Sequence, residues 1–339
     1  MSNDVKISVI VPLYNEEEYV DKCIESIVNQ SFKDFEVIII EDCSTDNSLE
    51  KAKKWSEKDD RIRLIQHEKN MGLSLTRNQG LDESVGEYII FLDSDDWIEE
   101  NHLYNLYRTI TANNAEVVGT GYKEYDASYN LRKDYVLFNK VTHLPTDCLE
   151  RMKYLVGSKL IATACSKMYR KSFLVENNLR FENIYIEDVL FHFALLYHVK
   201  SYIIIPTTSY CYYMSPNSIT RGSSIEKASN AMRIVIKFSR LIDNYMRKMP
   251  EIMENEEMRH TLRYYFAFIG IKGYVLGLMK GLNYKEFLSS MYNVFEEECP
   301  ELSPIMIFFF EKYLYADNIF DKMYQLDKDA RKDRNARRK

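Results

Sequence analysis

The chain has 339 residues, 46% hydrophobic and 28% charged, enough for one large domain or two modest ones and nothing like a disordered composition. A formal net charge of only -6 implies no broad nucleic-acid surface. The six cysteines (Cys23, Cys43, Cys148, Cys165, Cys211 and Cys299) form no C-x-x-C pair and no zinc-type Cys/His spacing, so free thiols in a reducing compartment are expected.

The polar start, Met1 to Lys6, runs straight into a strand and reads as carrying no signal peptide. Lys6 to Val11 is a short apolar run ended by Pro12, a buried strand. Glu16 to Gln30 spaces Tyr19, Val20, Cys23, Ile24, Ile27 and Val28 as a helix does. Phe35 to Ile40 is a second, β-branched strand. Ser44 to Ser56 reads as a helix capped by Asp46 or Thr45, with Leu49, Ala52 and Trp55 inward. Arg61 to Gln66 is a third strand, and Leu73 to Ser84 a helix stopped by Gly86. Tyr88 to Leu92 is a fourth strand, Asn101 to Ala112 a helix, and Glu116 to Gly121 a further strand. This alternation predicts an α/β fold, Rossmann-like, with a mostly parallel sheet flanked by helices. From about 125 to 225 the pattern is less regular, with an apolar helix inside Phe181 to Lys200 and strands from Tyr202 to Tyr213 broken by Pro206. From 226 onward the spacing is helical. No apolar run reaches the roughly 18 residues of a bilayer span; the longest are Ile305 to Phe310 and Ile269 to Met279.

Ligands of such sheets sit outside the carboxyl ends of the strands. Here those ends carry Pro12-Leu-Tyr-Asn15, Glu41-Asp-Cys-Ser-Thr-Asp46 and Asp93-Ser-Asp-Asp96, an acidic concentration. The strand Tyr88 to Leu92 ends in three carboxylates. Acids at i and i+2 can converge on a hard cation, and oxygen donors suit Mg2+ or Mn2+, which also bind diphosphate. The same acids also read as a capping turn before Trp97. Asp42, ending a buried strand, can accept a hydrogen bond from a nucleobase; it equally reads as a turn and N-cap.

Taken in order, Ile7 to Glu16, Glu41 to Asp46, Asn70 to Leu81 and Asp93 to Trp97 resemble the family 2 glycosyltransferases, which have the GT-A fold. The resemblance is strong over about residues 5 to 125 and weaker to about 225. It implies that Pro12, Tyr14 and Glu16 lie against the donor nucleoside and that Asp42 pairs with the base. It places Arg77 near the donor, with Asp93 and Ser94 toward ribose or sugar and Asp95 on Mn2+ or Mg2+. Cys43 stands where the family commonly has Gly. In Tyr185-Ile-Glu-Asp-Val, the acidic pair opens a helix where the family places its E-D motif, so Asp188 is the candidate general base and Glu187 its neighbour. Without the resemblance, two acids at a helix start also read as macrodipole partners.

Further along, Lys167 and Arg221 can neutralise phosphate or orient acceptor, although charge on a surface loop is the simpler reading of each. His192 and His198 read as structural or partly exposed. The aromatic stretch Pro304 to Leu326 leads into Arg331 to Lys339, with six basic side chains and one Asp; such an end suits an anionic membrane surface or plain solvent. A haloacid-dehalogenase-type phosphatase also places D-x-D after a strand, but near the domain start and without Trp at the position of Trp97. A non-catalytic nucleotide-binding module would not need Asp42, Asp93, Asp95 and Asp188 together. A nicotinamide enzyme lacks its G-x-G-x-x-G here.

The resulting expectation is a GT-A catalytic domain over 1–225, with a nucleotide-sugar half (1–125) and an acceptor half (126–225), then a mainly helical region over 226–339. The implied activity is inverting, metal-dependent transfer from a nucleotide-diphosphate sugar, with uridine the default base, to a glycan or lipid-linked glycan hydroxyl. No nucleic-acid partner is expected, and the implied location is the cytoplasm, with peripheral contact at the inner membrane face through the C-terminal region.

Overall fold

The computed structural model describes residues 5–157, 159–184, 186–214, 225–270, 293–294 and 297–298. Tyr185, Arg221, most of Ile269 to Met279, the run Ile305 to Phe310, the stretch Pro304 to Leu326 and the basic tail lie outside the described residues.

The first strands are β1 (Ile7–Leu13), β2 (Phe35–Glu41), β3 (Ile62–Gln66) and β4 (Tyr88–Phe91). They lie parallel in the order β3-β2-β1-β4. β1, β2 and β4 are buried along their whole length. This is why they read as continuous apolar runs rather than alternating ones. The intervening helices are α1 (Val20–Val28), α2 (Ser48–Lys58) and α3 (Leu73–Glu83). Gly80 on α3 lets that helix lie on β1, since a Cβ there would sit 2.3 Å from Ile10 Cγ2.

After β4 come β5 (Trp97–Ile98), α4 (His102–Ala112), β6 (Val117–Gly119), β7 (Tyr122–Tyr125), β8 (Leu131–Tyr135), β9 (Thr142–His143) and α5 (Cys148–Val156). β10 (Lys167–Arg170), α6 (Lys171–Glu176), α7 (Glu187–His198), β11 (Tyr202–Ile204) and β12 (Tyr210–Tyr213) follow. The large sheet continues past β4 as β10-β6-β11-β9, and the rest form a second sheet, β5-β12-β7-β8. β10 enters between β4 and β6 antiparallel to both. Sequence reasoning left this strand unassigned, because Lys-Met-Tyr-Arg has neither an apolar run nor clean alternation.

Two helix starts differ from expectation. α1 begins at Val20 rather than Glu16, because the N–H groups of Glu16 and Glu17 bond Ser48 Oγ and Asp46 Oδ2. α2 begins at Ser48 rather than Ser44. Asn47 sits at its N-cap but its side chain donates to Glu17 Oε2 rather than capping the helix, and Asp46 Oδ1 accepts the N–H of Ser48. The residues read as helix are spent on joining the loops after β1 and β2.

Cα packing divides the chain into two compact units, Met1–Ser218 with Ile242–Leu262, and Ile219–Leu241 with Arg263–Lys339. The first holds both sheets, the end of α8 (Ile225–Met246), α9 (Pro250–Glu254) and the first half of α10 (Glu256–Gly270). In the second, Phe238 packs edge-on against Phe266 at 5.7 Å and Arg233 pairs with Glu297 at 2.5 Å. No helix among the described residues is long and apolar enough to cross a membrane.

Candidate active site

The carboxyl ends of β1, β2 and β4 meet at one edge of the sheet. The loops after β1 and β2 are laced together: Asn15 N–H donates to Ser44 Oγ at 3.1 Å and Asn15 Oδ1 accepts from Thr45 N–H at 2.7 Å. Cys43 adopts φ +63°, the left-handed conformation that Gly would take freely. The tight turn is thus kept despite the substitution. Tyr14 is exposed, Pro12 is buried in β1, and Glu16 is half-buried beside the acidic loop.

Asp42 is buried and accepts three bonds. Its oxygens accept from Met71 N–H (2.7 Å), Gly72 N–H (2.8 Å) and His67 Nδ1 (2.6 Å), while His67 Nε2 meets Gln79 Oε1 at 2.5 Å. Burial pulls the imidazole pKa down, but the bonds to Asp42 and Gln79 outweigh it and leave it raised. Asp42 therefore latches β2 to the loop opening α3, a role sequence reasoning did not assign.

Arg77 is the hub. Its guanidinium is 1% exposed. Nη1 donates to Glu187 Oε1 and Asp188 Oδ1, both at 2.8 Å, and Nη2 to Asp93 Oδ1 at 2.8 Å. One face of α3 carries the arrangement. Ser74 Oγ donates to Glu182 O at 2.8 Å, and Asn78 makes reciprocal bonds with the backbone of Phe181 at 2.8 and 2.9 Å. These tie the segment leading into α7 over α3, with Arg77 between the ties. Helical spacing puts 74, 77 and 78 on one face. The expectation placed Arg77 near the donor; the structure has it joining the acid ending β4 to the pair opening α7, more than 90 residues apart. A buried Arg must find carboxylates, and that is the signal by which the sequence could have shown this link.

Ile186, just before the pair, has φ +71°. A β-branched residue in that region is strained, and such strain collects at functional sites. Burial first, then the charge of Asp188, pushes the Glu187 carboxyl up to about 7.

The Asp93-Ser-Asp-Asp96 turn divides its acids. Ser94 is buried. Asp95 is half-buried, and desolvation with the charge of Asp93 pushes its carboxyl up to about 7. Burial, then Asp95, Asp46 and Asp93, pushes Glu16 up to about 8. Asp96, the last of the three acids after β4, turns inward. It accepts the Tyr210 hydroxyl and, at 2.7 Å, the Tyr213 N–H, fastening the turn to β12. The acids left beside one another at the strand ends are Asp93, Asp95 and Glu16.

No group of three or more His, Cys, Asp or Glu among the described residues makes a closed metal cage. A half-buried carboxylate crowded by like charges, with no cation paired to it among the described residues, fits an open cation site whose remaining ligands come from substrate.

Lys167 departs from the surface reading. It lies in β10, 2% exposed, with Nζ on Thr163 O at 2.5 Å. His192 is buried with neither ring nitrogen bonded, and burial drives its pKa well below the usual value; His198 is half-buried.

A mostly parallel sheet with acids gathered at its strand ends and an acidic pair opening a separate helix is the frame of a nucleotide-sugar transferase of the GT-A fold. The model for Glycosyl transferase family 2 matches residues 8–176. The poly(ribitol-phosphate) beta-N-acetylglucosaminyltransferase TarP of Staphylococcus aureus is 32% identical over 264 residues, covering 76% of each chain. The cholesterol galactosyltransferase of Borreliella burgdorferi is 28% identical over 306 residues, covering 86% of this chain and 83% of that protein. Among solved structures, S. aureus TarS 1-349 in complex with UDP-GlcNAc superposes with a TM-score of 0.63 at 21% identity, covering 89% and 86% of the two chains. The chain belongs to glycosyltransferase family 2 and is a glycosyltransferase enzyme. Membership does not favour the phosphatase or the non-catalytic reading.

Proposed function

We propose that the enzyme transfers a sugar from a UDP-sugar to a hydroxyl of a glycan or lipid-linked glycan, with inversion at the anomeric carbon and with a divalent metal, in polysaccharide assembly. The observation that carries this reading is the Arg77 hub, which joins Asp93 of the D-x-D to Asp188. In the proposed mechanism Asp188 accepts the proton of the acceptor hydroxyl. The oxygen attacks the anomeric carbon as its bond to the diphosphate breaks, and the diphosphate leaves on the opposite face. Arg77 holds Asp188 in place through Nη1. Pro12, Tyr14, Glu16 and Asp42 hold the nucleoside, and Asp93 and Ser94 its ribose or sugar. Asp95 would hold Mn2+ or Mg2+, which when bound neutralises the charge developing on the leaving diphosphate.

UDP as the donor nucleotide is supported by the UDP-GlcNAc bound to TarS, and a hydroxyl-bearing polymer as acceptor by the poly(ribitol-phosphate) in the name of TarP. The acceptor half would lie in 126–225. Tyr212, 40% exposed and near enough to Asp93, Asp95 and Asp96 to sense their charge, meets Tyr122 edge-on, and Tyr122 stacks on Tyr135 at 4.5 Å. Aromatic faces of this kind suit a sugar ring. Work at the inner membrane face, through the region 226–339 and its basic tail, fits a lipid-linked acceptor.

The test is UDP release from UDP-sugars with and without Mn2+. Asp95→Ala should abolish metal-stimulated turnover while circular dichroism and melting stay native. Unchanged turnover in that variant would remove Asp95 from the metal site.

A further inference from the structure

The Thr163 to Lys167 segment is knit far more tightly than a linker needs. Thr163 Oγ1 accepts the Cys165 N–H at 3.2 Å, and Lys167 Nζ donates to Thr163 O at 2.5 Å and Cys165 O at 3.4 Å. Tyr169 donates its hydroxyl to Ala164 O at 2.7 Å, and Thr120 donates N–H and hydroxyl to Ser166 O. Ser166 has φ +60°, and its buried hydroxyl has no partner among the described residues. Strain and an unmet polar group at one residue signal a shape held for a purpose.

What the segment presents is specific. Thr163 Oγ1 donates to Asp188 Oδ2 at 3.3 Å, and Cys165 Sγ to Asp93 Oδ2 at 3.3 Å. Arg77 takes the Oδ1 atoms of the same two aspartates. Each carboxylate is gripped at one oxygen by Arg77 and at the other by this turn. The Lys167 ammonium that staples the turn is buried, and Asp188 is the anion beside it. Burial draws the Lys167 pKa down to about 8, and Asp188 opposes that fall.

We propose that the 163–167 turn is a positioning element for Asp188, in which the Thr163 hydroxyl and the Lys167 ammonium fix and electrostatically support the carboxylate face that Arg77 leaves open. The proposal rests on the reading of Asp188 as general base. Neither residue touches substrate in this role: Lys167 holds the turn, and the turn holds the base. The groups facing Asp188 are Arg77 from α3, Glu187 on α7, Lys167 and Tyr169 on β10, and Cys165, with Asp93 reached through Arg77.

The experiment needs no known donor. Carboxyl-13C aspartate is titrated by NMR in the full chain, and the Asp188 resonance is assigned by its loss in Asp188→Asn. In Thr163→Val and in Lys167→Met the Asp188 midpoint should rise by about one pH unit or more, while Thr163→Ser stays at the wild-type midpoint. Should Lys167→Met fail to fold, the Val and Ser variants at 163 decide alone. An unmoved midpoint in Thr163→Val, with native circular dichroism and melting, overturns the proposal. If instead the midpoints move but Asp188→Asn still transfers sugar, the base assignment fails and the electrostatic grip stands.

Discussion

At the scale of single residues, Arg77 pairs with three acids, Asp93, Glu187 and Asp188, and the Lys167 ammonium lies beside Asp188. If Asp188 is the base, Asp188→Asn lowers kcat by about 10²- to 10⁴-fold with the donor KM nearly unchanged, read from steady-state UDP release. Near-normal kcat would move the base elsewhere. Glu187 titrates at about 7 when folded, against 4.5 as its ordinary value. Its folded value lies above its unfolded one, so ionising it costs more in the native state. Stability is therefore full below about 4.5 and is lost as pH rises to about 7. Glu187→Gln removes that slope, so urea melts at pH 5 and pH 7.5 should show the variant gaining on the wild type at the higher pH. A pH-independent difference would mean that Arg77 already compensates Glu187. Much of this was readable in advance: Asp93, Asp95 and the Glu187-Asp188 pair stand out as acids at the ends of apolar elements. Asp96 looked the same in sequence, yet it turns away, because its fate depends on Tyr210 and Tyr213 more than 110 residues later.

At the scale of elements, α3 and β12 do the assembling. α3 holds the chain before α7 through Ser74 and Asn78, and β12 holds the D-x-D turn through Asp96. Asp96→Ala leaves the buried Tyr210 hydroxyl and Tyr213 N–H without acceptors, each costing about 1–3 kcal/mol. A fall of several kcal/mol in urea unfolding is expected, with lost turnover as the turn loosens. A loss under about 1 kcal/mol would show that β12 does not anchor the turn. The strands up to β4 were legible because burial on both faces writes itself as Val/Ile runs. β8, Leu-Arg-Lys-Asp-Tyr, was not legible: it is mostly exposed and is a strand only because it pairs with β7.

At the scale of the whole molecule, the acids of four separate segments crowd one end of the sheet, with Glu16 and Asp95 both pushed toward or past neutrality. Ligands that bring positive charge should therefore stabilise the fold as they bind. UDP with Mn2+ at a hundredfold excess over Kd should add about 2.7 kcal/mol, seen as a rise in melting temperature over either component alone. Stabilisation by NAD or inorganic phosphate instead, with none by UDP and Mn2+, would sink the donor assignment.

The sequence by itself determined the parallel strands, the helices between them and the acidic strand ends, because these are local consequences of hydrophobic periodicity and chain punctuation. Only the tertiary structure decided which acid serves which partner. Asp42 became a latch, Asp96 an anchor and Lys167 a buried staple, since each role is set by groups distant in sequence. Burial makes those pairings obligatory, because a charge removed from water must find a partner wherever the fold supplies one.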